Sequence, residues 1–370
     1  MLGYIFILLI CFFLGFDAHK INPSKQKRKL FLIVVFGAMI CFAVLRSYSV
    51  GIDYINRVNQ MRLLFNMNFS EMIAYTDQVQ KGEYLYTLYI WIVSRVLPIP
   101  WLINGIMDIF ILCTFGWFIG RYSSDVTLSS LMFVTFAFAA SLNVTRQYVA
   151  ASFFLIALHF LIQKKPLKAL FPLLLAAFIH SSAVILFVIY AIYAIGFNLT
   201  RKKLLCFLLG AIASFFAFDI ILDIFVQIFP QYKYALSGWT VGDESFSFLW
   251  LFIYLFLFCL IYSRLPHRIT QDVQYLQSNS ISMIVIGFMF YAVLDLLKSE
   301  LDFVHRVQVY FIFGFCMILS EILHGFGLGK KRNSAMVILF KIGVMAWAIF
   351  VFSQDGHGIL PYNFIWNWGR

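Results

Sequence analysis

The sequence predicts an all-α, polytopic integral membrane protein, and three observations carry this prediction. First, 62% of the 370 residues are hydrophobic and only 12% are charged, which leaves too little polar surface to solvate a globular protein. Second, apolar runs of about twenty residues recur along the chain, and each is long enough to cross ~30 Å of hydrocarbon as a helix. Third, no polar stretch between these runs is long enough for a soluble domain. Residues 1–370 are therefore predicted to form a single transmembrane domain.

The cysteines and the net charge of +11 exclude other classes of protein. The six cysteines lie inside apolar runs and form no Cys-x-x-Cys or Cys/His cluster, so we expect no disulfide framework and no zinc site. No other metal and no cofactor is predicted. Basic residues cluster in short polar breaks instead of lining one face, which argues against nucleic acid and marks cytoplasmic loops. These clusters are Lys20–Lys29, Arg121, Lys164–Lys168, Arg201–Lys203, Arg264–Arg268 and Lys330–Arg332.

The first two helices set the orientation of the chain. Met1–Phe16 has no basic n-region and no small-residue cleavage site, so it is predicted to be an uncleaved helix whose amino end lies outside. Leu30–Leu45 carries the chain outward again and ends at Arg46. Residues 47–82 are polar and amphipathic, and they are predicted to form the longest external loop.

The side of the membrane on which Arg121 lies depends on the next two apolar segments. Tyr84–Leu97 and Trp101–Ile119 are separated by two prolines, which interrupt a helix. If both segments cross, Arg121 is external and every later basic cluster changes side. If only one crosses, all the later clusters are cytoplasmic. Because Tyr84–Leu97 is short, rich in tyrosine and contains Arg95, we interpret it as an interfacial or re-entrant helix.

An arginine and a histidine are then predicted to lie together at the external ends of their helices, which we call the outer mouth. Leu128–Leu142 runs outward to Arg146, and Tyr148–Ile162 returns. The 35 residues between Lys165 and Arg201 would span ~52 Å as one helix, against ~30 Å of core, so two short crossings meeting near His180 are favoured. A charge beside such apolar sequence is usually retained for function.

The remainder of the chain alternates across the membrane and brings the predicted total to about 11–12 transmembrane or half-membrane helices. Residues 230–246 form a second external loop, and the carboxyl end is external like the amino end. Neither a fixed-period repeat nor the matched broken helices of many transporters is present. The remaining predicted helices are Leu204–Phe229, Phe246–Ser263, Ile281–Leu297, one that Arg306 opens, and Ala335–Phe352.

Five short motifs lie in order along the chain: Arg46 with Gly51-Ile-Asp53, Thr145–Ala150, Ala177–Ser181, Arg306–Phe311, and Pro361-Tyr362. Together they resemble motifs of the EpsG family of exopolysaccharide polymerases, relatives of the Wzy O-antigen polymerases, in which the second reads "RQ..A" and the third "fHxsa". The chain departs from the family pattern at Ile52, where threonine is usual, at Asn56 and Arg57, where a tyrosine is expected, and at Gly82-Glu83-Tyr84, which matches "EpGy" only in part.

The resemblance implies a polymerase or ligase architecture similar to that of GT-C glycosyltransferases, in the bacterial inner membrane. It implies the joining of undecaprenyl-pyrophosphate-linked oligosaccharide repeat units on the periplasmic face, for an O-antigen, capsule or exopolysaccharide, without a metal. The implied partners are that lipid-linked oligosaccharide, membrane lipid, and a chain-length regulator and flippase of the same pathway.

This chemistry needs a fixed positive charge on the departing pyrophosphate and a base for the acceptor hydroxyl. Arginine binds phosphate oxygens bidentately, and histidine titrates near neutral pH. The alternatives are arginines that reach for headgroups at helix ends, at Arg46 and Arg306, and a hydrogen-bonded core histidine at His180. The predicted catalytic residues are His180, Arg146 and Asp53, and the predicted substrate-binding residues are Arg46, Arg306, Gln147, Tyr310 and Tyr362.

Two other classes stay open at this stage: a lipid-linked oligosaccharide flippase or other transporter, and a membrane O-acyltransferase of polysaccharide. A flippase would place its charges deep in a central cavity, and an acyltransferase with a cytoplasmic acyl donor would place its histidine near the inner face. Asp219 and Asp223, one helical turn apart, form either a proton or ion site or, as we favour, a pair inside the bundle.

Overall fold

A computed structural model describes residues 2–18, 25–80, 82–194, 199–216, 227, 248–264, 275–297, 302–325, 334–354, 360 and 362–365. Within these ranges all regular structure is helical, apart from one isolated antiparallel bridge between Arg46 and Phe364. The predicted fold class, an all-α polytopic membrane protein, is confirmed. The predicted loop 230–246 and the pair Asp219 and Asp223 lie outside the described residues.

The chain divides into two compact units, one of Met1–Ala194 with Cys316–Arg370 and one of Ile195–Phe315. The helices of the first part are α1 (Leu2–Ala18), α2 (Lys25–Val44), α3 (Tyr54–Phe65), α4 (Phe69–Gln78), α5 (Tyr84–Val96), α6 (Pro100–Tyr122), α7 (Val126–Phe133), α8 (Ala139–Asn143), α9 (Thr145–Ile162), α10 (Pro166–Ile179) and α11 (Leu186–Ala194). The later helices are α12 (Arg201–Phe216), α13 (Phe248–Arg264), α14 (Tyr275–Leu297), α15 (Asp302–Gln308), α16 (Ile312–Ser320) and α17 (Ser334–Ser353).

Five stretches in the described part of the chain are long and apolar enough to cross a membrane. A π-helical turn, Val134–Phe138, joins α7 to α8, so these elements form one such stretch. The five stretches are Pro100–Tyr122, Val126–Asn143, Thr145–Ile162, Ser280–Leu297 and Val304–His324.

The first unit has a polar cluster at each end of its long helices. At the Arg28 end, Arg28 Nη2 donates to the carbonyl of Ser123 at 2.8 Å, and the Tyr122 hydroxyl lies 2.6 Å from Nδ1 of His159. At the Arg146 end, α2 has ended and α6 and α9 begin. The predicted cytoplasmic clusters Lys25–Lys29, Arg121 and Lys164–Lys168 therefore share the Arg28 end, as charge clustering predicts.

Helix α5 stays at the Arg146 end and does not cross the unit. Its Tyr89 hydroxyl donates to the carbonyl of Ile103 at 2.6 Å, at the start of α6, and its 13 residues span only ~20 Å. The choice of a single crossing between Arg46 and Arg121 agrees with this geometry. The segment 47–82, predicted as a loop, contains the amphipathic helices α3 and α4, the second of which begins at an Asn68–Glu71 capping box.

Both terminal segments approach the same end as Arg146. Tyr4 in α1 stacks on Phe352 at 4.9 Å and packs edge-on against Tyr362 at 5.8 Å. The Ser47 backbone N–H donates to the carbonyl of Asn363 at 2.8 Å. Tyr4 and residues 362–364 thus lie at the Arg146 end, and the extracytoplasmic position of the two termini stays a prediction.

Labelling of single cysteines tests which side this is. In a variant without the six native cysteines, we expect Asn66→Cys and Ser353→Cys to react with a membrane-impermeant maleimide in intact cells. Both residues are exposed at the Arg146 end. The matched variant Lys165→Cys, exposed at the Arg28 end, should react only after permeabilisation. Reaction of Lys165→Cys in intact cells would show that the assigned topology is inverted.

In the second unit, a hydrogen-bonded network joins three described helices. The Asp295 carboxylate accepts from the Tyr254 hydroxyl at 2.7 Å and from Gln308 Nε2 at 2.6 Å. Gln308 Oε1 in turn lies 3.2 Å from Nδ1 of His305. These bonds satisfy the buried carboxylate of Asp295.

Candidate active site

Three side chains that are far apart in sequence meet at the Arg146 end of the first unit. Glu83 precedes α5, Arg146 lies in the first turn of α9, and His180 follows α10. Glu83 Oε2 lies 2.6 Å from Arg146 Nη1, and Glu83 Oε1 accepts a hydrogen bond from His180 Nδ1. We refer to Glu83, Arg146 and His180 as the Glu83 cluster.

Each member of the cluster lies where a helix begins or ends. Gly82 has φ +90°, a left-handed conformation that suits glycine, and it turns the chain so that Glu83 leads into α5. Val144, with ψ 50°, separates α8 from α9. His180 is extended and divides α10 from a 3₁₀ turn, Ser181–Ile185. The predicted break between two short helices near His180 is confirmed.

Glu83 is ionised because its partners outweigh its burial. Burial by itself raises the pKa of this carboxyl, but the hydrogen bond from His180 and the charge of Arg146 lower it more. The backbone N–H of Ser181 also donates to Oε1, at 3.4 Å. The net result is a pKa below the ordinary value of a glutamate.

This lowered pKa predicts that Glu83 stabilises the folded protein at neutral pH and that the stabilisation is lost in acid. A carboxyl whose pKa is lowered by folding stabilises the protein above its ordinary pKa of about 4.3, and the contribution is lost as the pH falls through the lower folded value. We therefore expect Glu83→Gln to lower the melting temperature of the detergent-purified protein at pH 7. The difference from wild type should shrink below about pH 4.3. A difference that stays constant down to pH 3 would contradict this account of Glu83.

The contact with Glu83 also fixes the tautomer of His180. A carboxylate only accepts hydrogen bonds, so Nδ1 must carry the proton, and in the neutral ring Nε2 keeps its lone pair. Nε2 is buried, and no described residue hydrogen-bonds to it. The ring is thus held like the histidine of a carboxylate–histidine pair, with its basic nitrogen unused by the protein.

Arg146 keeps part of its hydrogen-bonding capacity. Its Nη1 donates to Glu83 and, at 2.8 Å, to Gln80 Oε1, and its guanidinium lies 4.9 Å from the centre of the Tyr86 ring. Within the described ranges, no hydrogen bond involves its Nε or Nη2. The side chain is 37% exposed. Arg146 is therefore fixed on one edge and open on the other, as a phosphate-binding arginine needs to be.

Arg46, predicted to bind pyrophosphate, is instead fully buried and committed to protein partners. Its Nη1 lies 2.6 Å from Asp108 Oδ2, and both side chains are at most 1% exposed. Nη1 also donates to the carbonyl of Ala43 at 2.8 Å. Removing one partner from such a pair typically costs about 3–5 kcal/mol. The geometry favours a structural role for Arg46.

The other predicted site residues of the first unit lie around this end. Gln147 follows Arg146 and is buried, and its Oε1 has no hydrogen-bond partner in the described structure. Asp53 is half-buried, and its charge contributes to the field at Arg146. Tyr362 donates its hydroxyl proton to the carbonyl of Phe42 and packs on the Phe42 ring at 5.1 Å.

Arg306 and Tyr310 belong to the second unit. Arg306 is exposed on α15, whereas Tyr310, in the 3₁₀ turn that follows, is fully buried. Asp302 begins α15. Their predicted roles in substrate binding stay predictions.

The sequence model of the EpsG family matches residues 29–364, nearly the whole chain. The chain belongs to the EpsG family. No curated protein and no solved structure matches it. Membership of the EpsG family indicates an exopolysaccharide polymerase-like role, and with the apolar helices it makes the chain a multi-pass membrane protein. The matched region contains the whole Glu83 cluster.

Proposed function

We propose that this EpsG-family protein joins oligosaccharide repeat units carried on undecaprenyl pyrophosphate, at the extracytoplasmic face of the bacterial inner membrane. The growing glycan leaves its lipid carrier and is transferred to a hydroxyl of the next lipid-linked unit. The Glu83 cluster is the proposed catalytic site. The product is an exopolysaccharide, capsule or O-antigen.

The reaction is a substitution at the anomeric carbon of the donor sugar. The acceptor oxygen forms a bond to that carbon as the bond from the carbon to the pyrophosphate oxygen breaks, and the electron pair leaves with the pyrophosphate. The acceptor proton passes to Nε2 of His180. Arg146 neutralises the charge that develops on the leaving group, through the donors that Glu83 and Gln80 do not use.

The unpartnered, buried Nε2 of His180 is the observation that carries this proposal. A buried polar atom without a partner is costly, so an unpartnered ring nitrogen favours a role for His180 beyond packing. Here one nitrogen is anchored by Glu83 and the other is left for a proton from outside the protein. Asp53 is the alternative base, since its carboxylate accepts no hydrogen bond from any described residue.

The membrane face is inferred from charge. The predicted cytoplasmic basic clusters of the first unit share the Arg28 end, which leaves the Glu83 cluster on the opposite face. An acyltransferase with a cytoplasmic acyl donor would need the reverse arrangement. A flippase would need no base with an unused nitrogen.

The test is an assay of the purified protein in proteoliposomes with a synthetic undecaprenyl-pyrophosphate-linked repeat unit. We expect glycans of two or more repeats and one undecaprenyl pyrophosphate released for each new linkage. Movement of intact lipid-linked units across the bilayer without new linkages would contradict the proposal and favour the flippase.

A further inference from the structure

Two buried arginines converge on the break between α8 and α9, just before Arg146. Arg46 Nη2 and Arg57 Nη2 each donate to the carbonyl of Leu142 at 3.2 Å, and Arg57 Nη1 donates to the carbonyl of Asn143 at 2.8 Å. Carbonyls at the end of a helix lack the next turn as a partner and carry the negative end of the helix dipole. The guanidinium groups therefore supply both hydrogen bonds and countercharge at this break.

Both arginines are anchored to α6. Arg57 Nε donates to Asn104 Oδ1 at 2.6 Å, and Arg46 pairs with Asp108 one turn further along the same helix. The Tyr54 ring lies beside both guanidinium groups, at 4.8 Å from that of Arg46 and 5.9 Å from that of Arg57. The long helix α6 thus holds both arginines that donate to the carbonyls at the α8–α9 break.

The turn that precedes α3 packs on the same break. Gly51 has φ +98°, and a Cβ atom there would lie 3.4 Å from the carbonyl oxygen of Leu142. The Asp53 backbone N–H donates to Asn143 Oδ1 at 2.9 Å. Glycine at position 51 suits the left-handed conformation because it has no Cβ atom. The Gly51-Ile-Asp53 motif is thereby attached to the residues that immediately precede Arg146.

Arg57 is bound to protein partners through its whole guanidinium group. Each of its three nitrogens donates to a protein oxygen, and the residue is only 5% exposed. Arg146, by contrast, has unused donors and is 37% exposed. Arg57 therefore does not have the character of a substrate ligand.

We propose that Arg57 is a positioning residue, which fixes the α8–α9 break and thereby sets where Arg146 meets the pyrophosphate. This inference rests on the proposed function of the Glu83 cluster. A displacement of about 1 Å in a catalytic group can cost on the order of a hundredfold in rate. The contacts of Arg57 end three residues before Arg146, so losing them would displace Arg146 and slow the reaction.

Arg57→Lys tests this positioning role because lysine keeps the charge but loses the planar guanidinium that reaches three acceptors. We expect kcat to fall about 10- to 100-fold and KM for the lipid-linked repeat to change less than about twofold. Asn104→Ala removes one anchor of Arg57 while leaving the arginine in place, and it should lower kcat in the same direction. Arg62→Lys, exposed on the same helix α3, is the matched control and should behave as wild type.

A double-variant cycle with Arg146→Lys separates positioning from general stability. If Arg57 acts through Arg146, Arg57→Lys should cost less than about twofold when Arg146 is already lysine. Equal effects of Arg57→Lys in both backgrounds, or lowered melting temperatures of Arg57→Lys and Asn104→Ala with unchanged kcat, would overturn the inference. Full activity of Arg146→Ala would instead overturn the proposed function of the cluster.

Discussion

Replacement of Arg146 by alanine is expected to slow glycan transfer by about a hundredfold to a thousandfold, the usual effect of losing one preorganised donor to developing charge. The effect should appear mainly in kcat, because the negative charge on the pyrophosphate grows as its bond to the sugar breaks. Binding of the lipid-linked repeat should weaken much less. The measurement is steady-state polymerisation by the purified protein, together with binding of the same lipid substrate.

The change also leaves Glu83 with one partner fewer, so folding has to be followed separately. Arg95→Ala is a suitable control because Arg95, also at this end, is exposed and donates to backbone carbonyls on α3 and just after it. We expect Arg95→Ala to polymerise normally. An Arg146→Ala protein with wild-type kcat would remove Arg146 from the reaction.

Replacement of His180 by glutamine should stop polymerisation while leaving substrate binding intact. Glutamine is polar and of comparable size, and it can still contact Glu83, but it cannot accept the proton of the acceptor hydroxyl. Loss of a general base typically costs on the order of 10²–10⁴ in rate. The measurement is the yield of chains longer than one repeat in a single turnover at saturating lipid-linked substrate.

His159→Gln provides the matched control, because His159 lies at the Arg28 end and bonds to Tyr122 and Gln163. We expect it to retain polymerase activity. If His180→Gln makes long glycan at the wild-type rate, Asp53 becomes the candidate base, and Asp53→Asn is then the variant to measure.

The sequence predicted that Arg146 and His180 lie at the same end of the helices, from the positions of basic residues and the lengths of apolar segments alone. Basic clusters assigned the sides of the loops, and helix rise excluded one long helix between Lys165 and Arg201. These arguments depend on average lengths and charges, which a single sequence contains. They were therefore sufficient for the fold class, for the break at His180 and for the end of the helices at which Arg146 and His180 lie.

The partners of those residues could not be predicted in the same way. Glu83 lies 63 residues before Arg146 and 97 before His180, in a short segment that matched the family pattern only in part. Its position after Gly82 and before a short helix was the available signal. Arg46 is of a residue type that commonly binds phosphate, and only the structure shows that it pairs with Asp108, 62 residues away in the sequence. Pairings of this kind depend on helix packing, which residue type does not specify.

Chemical rescue at position 180 tests the central claim most directly. Purified His180→Gly lacks the imidazole ring, so it should polymerise at less than about a hundredth of the wild-type rate, and added imidazole should restore part of that rate. Arg146→Ala should gain nothing from imidazole, because its defect is a missing charge and not a missing base. Polymerisation by His180→Gly at near the wild-type rate without imidazole would contradict the assignment of the Glu83 cluster as the catalytic site.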